Sequence, residues 1–321
     1  MYQHSRLNTN RFGFIQKFKN FDYILLVCIL MLGFISLATM YSTDGGKVLF
    51  HTKSHFTKLI VFTLMMLIIS FINIKFWFLI GYLSYVAVIV LLFWTYSFGV
   101  TSSGSQRWID LYFINLQPSE LMKIFIILCL AKYFHRMKLE NVNSIYTILT
   151  SLIIILLPMG LVIVQPDLGT SAVILATVLG VLFLAGVHLR QFLLVLFLAL
   201  IGISALIIFV PWRWERIISF TDPWSDPFGT GYQLTLSLMS IGRGDWFGVG
   251  LGEGLMKMGY LPDAHTDFIY SVIVEEMGLL GGIVVISLLF GLAFRCFYIA
   301  KQALIKNQYF LPCQLQFLKQ N

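Results

Sequence analysis

Residues 23–40 read YILLVCILMLGFISLATM, an apolar run of about 18 residues that follows the basic stretch Arg6 to Lys19. A basic stretch ahead of an apolar run imitates a secretory leader, but this run is long enough to cross a bilayer and is read as a retained first membrane helix. Just before it, FGFIQKFKNFD at 12–22 interleaves Phe with Lys at helical spacing, which predicts a short interfacial helix on anionic lipid.

The pattern repeats along the chain. Apolar runs of bilayer length recur at about 23–40, 56–73, 76–95, 120–134, 145–164, 171–187, 191–210 and 268–294. The 321 residues are 58% hydrophobic and only 12% charged, whereas soluble domains hold roughly 45–50% apolar residues. Hydrocarbon offers backbone groups no water, and runs this uniformly apolar do not alternate as barrel strands do, so each span must be a helix. The fold class is therefore an all-α polytopic membrane protein, a bundle of about eight transmembrane helices with a long loop between the last two.

The net charge of +7 is carried by basic residues scattered between spans, which set orientation better than they bind nucleic acid. With the amino terminus in the cytoplasm, 13 of the 22 Lys and Arg fall inside, among them Lys75, Lys132, Arg136, Lys138, Arg190 and Arg295. The opposite short loops hold only Lys47, Lys53 and Arg107. Residues 1–22 form a cytoplasmic basic segment, 23–295 one integral domain, and 296–321 a cytoplasmic tail. Cys28, Cys129, Cys296 and Cys313 show no CxxC or CxxH spacing, so neither a disulfide framework nor a zinc site is indicated.

The loop at 211–267 is then extracytoplasmic, too long for a mere connection and too rich in Trp, Tyr, Phe and Gly to be disordered. Arg213, Arg216, Arg243 and Lys257 sit there among aromatics. Arginine forks match phosphate oxygens and aromatics suit the headgroup level, so a phosphate-bearing amphiphile or ordinary lipid headgroups would both fit. GVGLGEG at 248–254 follows no strand, which rejects a nucleotide fingerprint and leaves turns and close backbone approach.

At 260–278, YLPDAHTDFIYSVIVEEMG gathers Asp263, Asp267, Glu275 and Glu276 without a Lys or Arg. Asp267 precedes the last span, where a carboxylate either caps the helix or serves as a general base for a hydroxyl nucleophile, with His265 and Asp263 flanking the same turn. A divalent cation could bridge Asp263 and Asp267. Glu275 and Glu276 lie about 12 Å further along the helix and need a cavity, a proton or a basic partner. The best candidates for that partner are Glu120 and Lys123 of NLQPSELMK, three residues apart on one helical face, with Pro118 suiting the helix start and Ser119 a possible cap. In QPDLGTS, Asp167 is most simply a cap for the sixth span, and SGSQRWIDL brings Arg107 and an indole to the outer face.

QRWIDLYFINLQPSELMK, QPDLGTS, DPWSDPFGTGYQ, GVGLGEGLMKMGYLPDAHTDF and EEMGLLG together resemble the SEDS family of bacterial cell-wall proteins, typified by RodA and FtsW, over roughly residues 20–295. The first half is more similar to RodA and the second to FtsW. The resemblance implies a peptidoglycan glycosyltransferase of the bacterial inner membrane that polymerises lipid II by inverting transfer, alongside a class B penicillin-binding protein. It maps the essential acid onto Asp267 and places Glu120, Lys123 and Glu275 in a polar cavity. It implies no nucleotide cofactor, and leaves room for Mg²⁺ or Mn²⁺ beside the leaving diphosphate. Family members ordinarily have ten helices, and the sequence after Arg295 offers no ninth or tenth span, as in a truncated product. Two other readings stay open: a lipid II transporter, which internally repeated halves would favour, and a non-catalytic scaffold.

Overall fold

The computed structural model describes residues 21–102, 105–110, 115–137 and 141–305. The interfacial segment at 12–20 and the tail beyond 305 lie outside the described residues.

All eight apolar runs form helices: α1 (Tyr23–Thr43), α2 (Phe50–Phe71), α3 (Ile74–Phe98), α4 (Pro118–Arg136), α5 (Ile145–Val164), α6 (Leu168–Leu184), α7 (Leu189–Ile208) and α10 (Ile269–Ile305). Six of them are long and apolar enough to cross a membrane. The exceptions have physical reasons. α6 has only 17 residues, and α4 carries Glu120, Lys123, Lys132, His135 and Arg136, which lower its hydropathy. The long loop adds α8 (Pro211–Thr221) and α9 (Tyr232–Gly244), with a 3₁₀ turn at Pro223–Ser225 and a π turn at Met256–Tyr260. The sequence reading had no strand. Between α3 and α4 the chain nevertheless forms a small antiparallel sheet, β1 (Val100–Ser102), β2 (Ser105–Asp110) and β3 (Asn115–Leu116), in the order β1-β2-β3.

The chain divides into two compact units. The first spans residues 73–206 among those described. Its core is built where α3, α4, α5 and α6 pack, from Leu92, Met122, Ile126, Leu130, Phe134, Ile155, Val162, Ile174 and Val178. Several polar groups inside it are tied to backbone or to one another, as low dielectric favours. Tyr85 donates to the Ile154 carbonyl, and Gln165 donates to Leu92 O and Thr95 Oγ1. Lys132, which charge counting treats as an orientation signal, is buried; its ammonium donates to Leu79 O at 2.8 Å and lies over the Tyr82 ring.

The second unit holds residues 21–72 and 207–303 among those described. Arg295 and Asp22 pair at 2.7 Å, joining α10 to the cap of α1. α10 is two helices in one, because Gly278 takes φ 73° and ψ −179°, a conformation closed to residues with a side chain. The segment 245–250 lies across that break. Leu279 N donates to Asp245 O and Leu280 N to Trp246 O, while Val249 N and Gly250 N donate to the carbonyls of Glu275 and Glu276. These four bonds satisfy the backbone that the interruption frees, which a membrane segment requires. Gly248 permits the approach: its φ is 82°, and a Cβ there would collide with the Glu276 carbonyl.

Candidate functional site

The turn before α10 is held by its apolar members. Leu261 and Ala264 are buried with Val272 against Leu236, Met256 and Phe268. Asp263 adopts a left-handed φ of 52°, and its carbonyl accepts from Thr266 N and Phe268 N. Burying residues 261 and 264 turns Asp263, Thr266 and Asp267 outward, and all three are exposed. Among the described residues the Asp267 carboxylate accepts no hydrogen bond, so it does not cap α10. His265 is half-buried and its ring lies 4.4 Å from that of His51, at the start of α2.

Behind this turn lies a buried polar cluster. Glu275 is fully buried; its Oε1 accepts from Arg243 at 3.2 Å and Leu255 N at 3.0 Å, and its Oε2 from Ser240 and Met256 N. Glu276 is 2% exposed, and its Oε1 accepts from Lys257 and from Ser42 of α1, each at 2.5 Å. Its Oε2 is buried and, among the described residues, has no hydrogen-bond partner. Ser237 and Ser271 share a further hydrogen bond beside them. Two charged carboxylates are sustained inside a membrane helix because each has a cation and further donors aimed at it.

These partners correct the sequence reading, which looked to Glu120 and Lys123 for them. Arg243 and Lys257 come instead from the loop before α10, because the break at Gly278 lets that loop lie against the helix. Glu120 and Lys123 pair with each other at 2.7 Å across one helical turn. The charge of Lys257 is directed at Glu276 from a side chain only 3% exposed, not at a surface phosphate. Arg213 is also buried and stacks on Trp212, whereas Arg216 is exposed and Arg243 keeps 37% of its side chain open.

In the other unit, Asp167 accepts from Thr170 N and so caps α6 as its spacing predicts. It also holds Arg107 at 3.1 Å and Gln117 at 3.3 Å, which ties β2 and the start of α4 to this cap. Pro118 opens α4, but Gln117 rather than Ser119 stands at the cap position, and Ser119 accepts from the Gln117 amide.

Sequence reasoning passed over Ser42, Ser240, His51 and the break in α10. Only the break had a local signal, a glycine two residues after paired acids inside an apolar span.

The sequence model of the FtsW/RodA/SpoVE family, described as cell cycle protein, matches residues 18–318. This chain belongs to the FtsW/RodA/SpoVE family. Among FtsW/RodA relatives, one from Buchnera aphidicola subsp. Schizaphis graminum, named "Probable peptidoglycan glycosyltransferase FtsW", is 39% identical over 87% of this chain and 81% of its own length. A second of the same name, from Buchnera aphidicola subsp. Baizongia pistaciae, is 39% identical over 91% of this chain and 77% of its own. A chain solved in a peptidoglycan synthase complex that coordinates polymerization and crosslinking superposes with a TM-score of 0.72 at 26% identity, covering 87% of this chain and 78% of that one. The RodA fold of Thermus thermophilus matches with a TM-score of 0.63 at 23% identity, covering 88% and 76%.

Proposed function

We propose that this chain is a peptidoglycan glycosyltransferase that polymerises lipid II, with Asp267 as the general base. The observation that carries the assignment of the base is the exposed Asp267 carboxylate, held on a turn anchored by apolar packing at the start of a membrane helix and engaged by no hydrogen-bond partner among the described residues. It accepts the proton of the sugar 4-hydroxyl of one lipid II. That oxygen forms a bond to the anomeric carbon of the growing strand, and the bond from that carbon to undecaprenyl diphosphate breaks with inversion. The electron pair leaves on the diphosphate, and exposed cations beside it stabilise the charge that develops there. Arg216 and the open face of Arg243 are suited to that task. His265, in the same unit as Asp267, is proposed to contact substrate as well, whereas Arg107, Glu120 and Lys123 belong to the other unit and already have ionic partners there.

The chain works in the bacterial cytoplasmic membrane with its amino terminus inside and residues 211–267 outside, beside a class B penicillin-binding protein that crosslinks the product. The relative solved in a synthase complex supports that partner. Among the described residues no group of three or more His, Cys, Asp or Glu gathers to hold a metal. Asp263 and Asp267 alone do not make a cage, and Mg²⁺ or Mn²⁺ would sit here only with diphosphate oxygens as further ligands. No step above depends on one.

The test is polymerisation of labelled lipid II by the full chain in liposomes with its partner. Asp267→Ala and Asp267→Asn should each lose roughly 10²–10⁴-fold in turnover, the usual share of a general base, with the melting temperature unchanged. Full activity in either variant would remove Asp267 as the base, and lipid scrambling without polymer would replace polymerisation by transport.

A further inference from the structure

A contact outside the loop reaches the turn that carries Asp267. His51 and His265 approach with ring centroids 4.4 Å apart and planes tilted by 45°, just short of the roughly 4.5 Å at which the usual range of aromatic pairs begins. His265 is two residues from Asp267 in a turn whose other anchors, Leu261 and Ala264, all point inward. The inner face is therefore pinned by apolar packing, and the ring pair restrains the outer face.

His51 is itself held. Asp44, at the end of α1, accepts from Thr52 N at 2.8 Å and from Thr52 Oγ1 at 2.6 Å, and Thr52 Oγ1 also lies 3.3 Å from Met40 O. Thr52 is buried, while its neighbour His51 is exposed and free to project at the turn. The Asp44 carboxyl thus fixes the first turn of α2, and that turn aims the imidazole. All of these residues belong to one compact unit.

The geometry points to His51 as a positioning residue for the transfer reaction: through its ring contact with His265 it holds the 263–267 turn, and with it the Asp267 carboxylate, in register. This rests on the reading of Asp267 as the base. His51 touches neither substrate nor the reacting atoms. Its effect is on geometry, and a misplacement of about 1 Å in a reacting group can cost about 10²-fold.

The experiment uses the full chain with its penicillin-binding partner in liposomes, labelled lipid II as substrate, and kcat and KM measured separately. His51→Ala should lower kcat by about 10-fold or more, with KM and the melting temperature little changed. His51→Phe, which keeps a ring, should recover most of the turnover. Because both variants break one contact, His51→Ala combined with His265→Ala should be no slower than His265→Ala alone. Unimpaired His51→Ala, multiplicative losses in the double variant, or a loss confined to the melting temperature would each overturn the proposal. Asp267→Ala, run in parallel, separates the two ideas. If it is inactive beside an unimpaired His51→Ala, only this proposal falls; if it is fully active, the base reading falls and takes this one with it.

Discussion

Replacing Lys257 by Met removes the cation that pairs with Glu276 Oε1, the only one among the described residues; the Glu276 side chain is 1% exposed, and among the described residues its Oε2 has no partner. What remains is a buried carboxylate supported by the Ser42 hydroxyl alone. Breaking a buried pair by deleting one partner costs about 3–5 kcal/mol, because the surviving charge is uncompensated. At about 2–4 °C per kcal/mol for a folding unit of this size, the melting temperature should fall by roughly 6–20 °C. Removing the second charge as well, in Lys257→Met with Glu276→Leu, should restore most of the loss, leaving a deficit of about 1 kcal/mol for the orphaned Ser42 hydroxyl. The assay is thermal unfolding of the purified variants in detergent, read as a double-mutant cycle. A Lys257→Met protein melting within about 2 °C of the parent, or a double variant as unstable as the sum of its singles, would refute this account.

Gly248→Ala should destabilise by about 2–4 kcal/mol, since it combines a positive φ of 82° with a collision against the Glu276 carbonyl. Gly180→Ala, in α6 with open space around it, should be neutral or stabilise by up to about 1 kcal/mol in the same unfolding assay. Arg107→Ala should cost about 1–3 kcal/mol by leaving the largely buried Asp167 with Gln117 and Thr170 as its remaining partners. Should the variant instead raise KM for lipid II while melting normally, Arg107 acts on substrate rather than on the fold. Asp44 titrates below the ordinary carboxylate range: its burial raises the pKa, but the two Thr52 hydrogen bonds and nearby His51 together lower it further. A depressed folded pKa adds stability that is fully present above the unfolded value, about 3.9, and is lost as pH falls through the folded value. The melting difference between parent and Asp44→Asn should therefore be constant above about pH 5 and shrink only in stronger acid.

The eight helices formed by apolar runs were legible because bilayer thickness sets the length of such a run, whereas α8 and α9 of the long loop were not. Asp167 was legible as a cap and Asp267 as an acid at a helix entrance, since both signals are local. The partners of Glu275 and Glu276 were not. A pattern confined to one helix cannot say which distant cation will reach a buried acid, and nothing local in RGDWFGVG tells that its backbone will bridge a break at Gly278. Burial of Lys132, Lys257 and Arg213 was hidden for the same reason. A lysine between apolar runs reads as a loop cation until packing surrounds it.

Composition and hydropathy by themselves determined that this chain is a helical membrane protein, because hydrocarbon admits only segments that satisfy their own backbone. The motif strings placed it among cell-wall proteins. Tertiary structure alone decided which charges are buried and paired, which carboxylate is left open, and that His51 meets His265. Those outcomes depend on contacts between residues as far apart as Ser42 and Glu276, and such contacts exist only once separate segments have packed together.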